Sequence, residues 1–408
     1  MGRIKKAICI VPLLAVMVAC GNVSSTPKSL ETATLVGITT TTNVPIVVTP
    51  TPVSTISVLT ITPTNVVYPF QLEDKNLGRQ IGNPRYSHDN KWLFLPTTAG
   101  VFVLEVTSYQ AMRLLPYVPR YLNDIVLSPD EKILAFEYTL ISVADGQELS
   151  SPKIAPSVRI GTSYGTINDI KFSPDSKLLA VTYYAGQLDF WRMEDSKLIY
   201  SLEAESVVFS PNSELIAAGS DLDKNPHIGI YETQTGNLLK DWVGKRAEFL
   251  NDNHLAVETN NAVRIYDLTS GKVPYAFSGK YVAFSPDEQL VALLNGAWVE
   301  IYQVATGKLL YRLGGDLNNV DYINLRFAPD SQTLLGYAYW SFCCAGWQHK
   351  LSLWRVDNGA LIKEVRTFYD YDFSPDGNSL AITSNNGLQI LNTLDGSVRI
   401  ELKEITIP

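Results

Sequence analysis

The string Phe-Ser-Pro-Asp stands at Phe172 and again at Phe284, and near copies of it punctuate most of this 408-residue chain. LSPD begins at Leu127, FSPN at Phe209, FAPD at Phe327 and FSPDG at Phe373, with weaker copies YSHD at Tyr86 and FLND at Phe249. The eight anchor residues stand 35 to 46 residues apart. A period near forty residues signals one small unit stacked on copies of itself, since so short a unit cannot bury an apolar face alone. An apolar run follows every anchor: WLFL, ILAF, LLAV, LIAA, HLAV, LVAL, LLGY and SLAI. Most units then carry a third alternating segment, such as LDFW or VEIY. A Gly-containing turn such as Thr235-Gly236 or Asp395-Gly396 and a short closing segment such as KLLYRLG complete the unit.

Each part has a physical reading. Pro before Asp fixes φ, and the carboxylate caps the reversal between the first and second segments. The later Gly supplies positive φ for a second reversal. Alternating Ile/Tyr and Val/Trp pairs suit strands packed on both faces. Four strands per unit predict an all-β fold, a β-propeller of four-stranded blades. Eight copies across residues 78–404 predict eight blades, and the second unit leaves seven open because residues 140–160 show no clear third strand. The pattern resembles the WD-repeat family in its bacterial form, with degenerate repeats and SPD turns. Trp191 and Trp354 stand at the family's Trp position, and Tyr231, Tyr266 and Tyr302 replace it elsewhere. The SPD turns are also similar to those of the periplasmic propeller of the Tol system. The family's Gly-His pair and regular Trp-Asp are missing, so the resemblance implies the fold and not the family's hydrogen-bond network.

The N-terminus reads as an export signal. Arg3, Lys5 and Lys6 precede a short apolar run, Ala7 to Ala19, too short to span a bilayer. Met17-Val18-Ala19-Cys20-Gly21 resembles the bacterial lipobox, which implies cleavage after residue 19 and lipidation of Cys20. Loss of the three basic residues leaves 30 basic against 41 acidic, a mature charge of −11. Residues 20–66 form a tether: 23 of the 46 residues from Gly21 to Val66 are Thr, Ser or Pro, and only Lys28 and Glu31 are charged. Extended at polyproline pitch, it reaches on the order of 100 Å. Its later part, Ile56 to Tyr68, is rich in Val, Ile and Thr and is open to joining the body as a strand. The propeller domain is expected to occupy residues 67–408.

Composition removes several functional classes. No Lys/Arg cluster occurs after the first six residues and the net charge is −8, which excludes nucleic acid as a partner. Four Cys and four His are too few for a disulfide framework or a zinc scaffold. His88 and His254 fall in turns, and His227 opens a strand without a neighbouring partner. Cys343 and Cys344 beside His349 make a poor tetrahedral set. Asp221 and Asp223 lack the later Gly and Glu of a calcium loop. No nucleophile elbow, zincin helix or Gly-rich phosphate loop occurs. Catalysis, metal and cofactor are therefore not expected. If the first strands line a channel, Val126, Lys171, Val208, Glu248, Ala283, Arg326 and Asp372 give a lining of mixed sign, expected to be a hydrated pore edge with local ion pairs.

One segment stands apart. Tyr337 to Trp347, YAYWSFCCAGW, falls between the second and third strands of unit seven, where most other units need two to six residues. Its Tyr337, Tyr339, Trp340, Phe342 and Trp347 either pack on the domain or meet a partner on the loop face that is the usual binding face. The expectation is a monomeric, membrane-anchored extracytoplasmic propeller lipoprotein acting as a non-catalytic protein-binding or scaffolding platform. It would touch the membrane through its lipid, at the outer face of the cell membrane, or in the periplasm or outer membrane of a two-membrane cell. The alternative is a propeller that binds an extracellular small ligand, glycan or peptide, with hydrolase activity as an added possibility.

Overall fold

In the computed structural model every repeat is an antiparallel meander. Residues 82–109, 111–116, 125–136, 139–149, 167–184, 186–220, 226–260, 262–296, 298–314, 321–342, 346–366, 370–384 and 387–402 are described. The signal segment, Cys20, the tether, Asp221, Asp223, Cys343 and Cys344 lie outside them. Eight sheets follow in chain order at 85–115, 125–142, 167–203, 206–243, 246–278, 280–314, 321–366 and 370–402. Among the described residues seven have four strands and the second has three. Among the described residues no helix is long and apolar enough to cross a membrane.

Eight apolar clusters lie between the sheets, one at each successive pair of blades, including the eighth and the first. The last joins Leu93, Phe102 and Leu104 of blade one to Ala381, Leu388 and Ile390 of blade eight, so the ring closes. Both blades are continuous stretches of chain, and among the described residues no strand is exchanged across the seam. Polar groups reinforce it on the pore side. Asp372 of blade eight accepts from the Tyr86 N–H at 2.9 Å and from Arg326 of blade seven at 3.0 Å. Arg85 pairs with Asp370 at 3.0 Å and donates to the Ile125 carbonyl of blade two. Third-strand aromatics plug these interfaces: Trp354 packs against blade six and Tyr266 against blade four.

The repeated turn explains its own sequence. In blade three the Ser173 hydroxyl donates to Asp175 at 2.6 Å and accepts from the Leu178 N–H, while Asp175 accepts from the Lys177 N–H. The same arrangement recurs at Ser128/Asp130, Ser210/Asn212, Ser285/Asp287 and Ser374/Asp376. The residue after the Asp is left-handed almost everywhere, with φ of 58° to 63° at Asn90, Glu131, Ser176, Ser213, Glu288 and Ser331. Six blades tie to the preceding one through that residue or its neighbour. Ser176 accepts from the Asp130 N–H, Ser213 from Asp175, and Ser331 from Asp287; Glu131 and Asp252 accept likewise from Asp89 and Asn212, and Glu288 accepts from the Asn251 side-chain amide. A polar belt thus runs around one face of the ring.

Two expectations change. The second unit does have a third strand, Thr139–Ser142, paired with Ile133–Phe136. It was hidden because this hairpin has four residue pairs where blades three, four and six have five or six. Glu148 adds an isolated antiparallel bridge to Ile141 on the far side of this third strand. The aromatic segment of unit seven is also not a loop. The strands Thr333–Phe342 and Gly346–Arg355 run through it, ten residue pairs in one hairpin. Aromatic residues at alternating positions suit strand better than irregular chain.

Candidate functional site

Antiparallel order gives the ring two unlike faces. Connections between first and second strands, and between third and fourth, share one face, called here the turn face. Second-to-third hairpins and blade-to-blade connections share the other, the hairpin face.

The turn face is ion-paired. Lys91, Lys132 and Lys177 each pair with the Asp two residues earlier, at 2.7, 2.9 and 3.1 Å, and Asp195 pairs with Arg192 and Lys197. Burial pushes the Asp175 carboxyl upward, but the Ser173 hydroxyl and Lys177 groups outweigh it and hold it below the usual carboxylate range. Blade seven carries Ala328 where every blade but the fifth has Ser, and there desolvation prevails and the Asp330 carboxyl is raised. A groove of about 610 Å³ runs around the foot of blade three, with Ile133, Leu178, Met193 and Ile199 among charged residues of blades two and three and Thr233 and Gln234 of blade four.

The pore edge is mixed in sign and locally paired, as expected. Arg326 meets Asp372, and Lys171 meets Asp169 at 3.3 Å while also donating to the Val207 carbonyl. Arg85 and Asp370 complete the set on the blade-eight side. Glu248 differs: its side chain stays open to pore water, yet enclosure by the surrounding blades pushes its carboxyl up to about 7 despite Arg246 and Lys171. His227 does open a strand, His227–Glu232. The buried acids belong to the blades. Asp189 accepts from Gln187 and Ser201, and Glu300 from Asn295, Tyr302 and Arg312. They pair across the third and fourth strands and do not converge on the groove.

The hairpin face is uneven. In blade six the hairpin turns after Asn295, paired with Trp298. Blade seven matches that position at Ala338 paired with Lys350, then adds four pairs: Tyr339 with His349, Trp340 with Gln348, Ser341 with Trp347 and Phe342 with Gly346. At 3.3 Å per residue the ribbon stands about 13 Å above its neighbour. Its root is fixed. The Tyr337 hydroxyl and His349 Nδ1 are 2.7 Å apart with the rings stacked, and buried Lys350 pairs with Glu364 at 3.4 Å. The structure therefore brings the five aromatic positions named from the sequence onto one two-stranded ribbon. Sequence reading missed two exposed aromatics on the same face, Trp298 of blade six at 40% and Tyr184 of blade three at 69%. Their signal was available, since both sit at hairpin ends where the inward alternation stops.

Comparison with protein-family models returned no match, and comparison with curated proteins returned none. Among solved structures the chain is similar to one described as the crystal structure of the eukaryotic initiation factor. The TM-score is 0.52 at 16% identity, over 81% of this chain and 90% of that one. At that identity the likeness speaks to the propeller fold alone.

Proposed function

We propose that this protein is an exported, lipid-anchored β-propeller of WD-repeat-like type that serves as a non-catalytic platform for protein partners, with the hairpin face as its contact face. The observation that carries the reading is the blade-seven ribbon, an uncharged, aromatic-rich hairpin raised about 13 Å above the ring beside the exposed Trp298. Trp and Tyr dominate interface energetics, whereas a surface of short Asp–Lys pairs contributes little. The turn face is of the second kind. Asp189 and Glu300 support a non-catalytic role, because each is hydrogen-bonded by groups of its own blade and is not aimed at the groove. Anchoring at Cys20 follows from the lipobox-like end of the apolar run, and the Thr/Ser/Pro tether would hold the ring off the membrane.

The test is a photo-crosslinking residue placed at Tyr184 or Trp298 on the hairpin face and at Gln234 on the turn face, in intact cells. Discrete adducts from the first two sites alone fit the reading. Adducts from Gln234 alone would reverse it.

One observation favours a second reading. The groove at the foot of blade three has the volume of a small-ligand or peptide site and a lining of both apolar and charged groups. A ligand there would shift the melting temperature of the wild type and not of a Met193→Arg variant.

A further inference from the structure

The groove at the foot of blade three takes its lining from three successive blades: Ile133 of blade two, Leu178, Met193 and Ile199 of blade three, and Ser213 and Thr233 of blade four. Its volume of about 610 Å³ falls within the roughly 300–1,000 Å³ of ordinary ligand pockets. Some of its polar groups are already spent on one another, and others are not.

The charges are largely spent. Asp130, Asp175 and Glu194 stand against Lys132, Lys177 and Arg192, so the lining carries no net charge. Lys132 pairs with Asp130 at 2.9 Å, Lys177 with Asp175 at 3.1 Å, and Arg192 with Asp195 at 3.2 Å. A phosphorylated or strongly acidic ligand would have to break those pairs to gain a cation. None of the lining residues is aromatic, so neither a sugar ring nor a base finds a face to stack on. The floor is aliphatic, and its Met193 can adapt to the shape of an apolar guest.

The hydroxyls are not spent. Ser176 accepts from the Asp130 N–H at 2.9 Å and Ser213 from the Asp175 N–H at 3.1 Å, and among the described residues neither donates its own proton. Thr233 is 1% exposed, and its Oγ1 has no partner among the described residues. The fold does not impose this. The residue after each third strand bonds its N–H back to the turn between the first and second strands, and in six blades it is apolar, as at Val143, Met193 and Val304. Blades four and eight have Thr there, and Thr393 of blade eight donates to the Gly377 carbonyl at 2.6 Å. Thr233 lines the groove without such a bond. A buried hydroxyl left unpaired costs stability that Val, of the same shape, does not. Its use therefore lies in a bound state.

We propose that this groove binds a short extended peptide of a partner protein, uncharged and aliphatic at alternate positions, whose main-chain carbonyls accept from the hydroxyls of Ser176, Ser213 and Thr233 while its side chains cover Met193 and Ile199. This rests on the reading of the groove as a ligand site and names the ligand class. An acyl chain would cover the floor but leave the three donors unanswered, whereas a peptide answers both.

The test pans a phage-displayed library of random dodecapeptides on the full chain carrying Cys20→Ala, with counter-selection on the same chain carrying Met193→Arg. If melting curves show that Met193→Arg does not fold, Gln234→Arg, at an exposed lining position, takes its place. The expected peptides have an uncharged aliphatic core and lose affinity about tenfold or more on the Arg variant. Thr233→Val decides the matter, since it keeps the shape and removes the hydroxyl. Affinity should fall about three- to tenfold, the worth of one hydrogen bond, while Tm stays or rises. A Thr233→Val chain that melts lower and binds as tightly as its parent would show a hydroxyl that serves the fold, and would overturn the proposal. Groove-dependent peptides that are charged or need an aromatic residue would overturn the ligand class and leave the groove a ligand site. Absence of any groove-dependent peptide would overturn a peptide ligand, whereas a melting shift from a monosaccharide or an organic acid that the Arg variant removes would keep the groove as a site of another class. Residues 32–66 are themselves uncharged and rich in Val, Ile and Thr. If replacing them by Gly-Ser repeats of equal length raised peptide affinity about tenfold, the groove would belong to the chain's own tether, and the partner would be overturned.

Discussion

Replacing Asp372 by Ala tests how the ring is held shut. This carboxylate, 8% exposed, is the polar group that blade eight extends to both neighbours. Its loss leaves the Tyr86 N–H buried without an acceptor, about 1–3 kcal/mol. The pair with Arg326 is half-exposed on the Arg side and adds about 0–1 kcal/mol. The expected destabilisation is therefore about 1–4 kcal/mol. A ring of roughly 320 residues unfolds with an entropy near 0.7 kcal/mol/K, so Tm should fall by about 1.5–6 °C. Asp372→Asn keeps an acceptor for Tyr86 and should recover at least half of the loss. The control is Asp195→Ala, an exposed turn acid whose pairs with Arg192 and Lys197 are worth little. Calorimetric melts of the four proteins at one pH and salt concentration decide the matter. If Asp372→Ala melts within a degree of Asp195→Ala, the seam is held by apolar packing alone and the reasoning fails.

Other consequences can be read from single positions. Ala328→Ser should restore the turn hydroxyl that blade seven lacks, giving the Thr333 N–H an acceptor and raising stability by about 1 kcal/mol in urea melts; a loss would show that the buried site has no room for the oxygen. Ser213→Ala should cost about 1–2 kcal/mol, because it keeps the left-handed backbone and loses the bond from Asp175, whereas Ser213→Gly relieves the backbone and should stay within about 0.5. Glu248 has a raised pKa, so its proton is kept on folding: the stability it lends is full below about pH 4.5 and fades as pH rises through about 7. Discounted for pore water, Glu248→Gln should gain on wild type by on the order of 1 kcal/mol between pH 5 and pH 8 in paired denaturant titrations, and a relative loss over that range would reverse the sign argued here. Cys20→Ala should move the protein from the membrane to the soluble fraction; retention through a salt wash would discard the lipid anchor.

The ring was legible because its code is local. Ser-Pro-Asp turns write their own hydrogen bonds, and the alternating runs after them specify strands packed on both faces. Even the poor copies at Tyr86 and Phe249 open blades. What escaped was non-local. Nothing near Asp372 announces that it meets Tyr86, 286 residues away. The left-handed residue after each turn Asp looked like unremarkable loop, since its side chain works on the neighbouring blade. At unit seven the Cys-Cys-Ala-Gly interruption drew attention from the flanking alternation, so a ten-pair hairpin passed for a loop. In unit two the shortened hairpin erased the periodicity that would have marked a strand.

The proposal that the ribbon is a contact surface meets its most direct test in the double substitution Trp340→Ser, Trp347→Ser. Melting curves of the purified protein are set beside capture of crosslinked partners from intact cells. A contact surface predicts capture reduced at least tenfold with Tm within about 2 °C of wild type, because residues that face a partner are not needed by the fold. Residues that pack on the ring would instead cost about 3–5 kcal/mol for each buried Trp, a Tm loss of several degrees. A large drop in Tm, or an unchanged Tm with undiminished capture, would contradict the account.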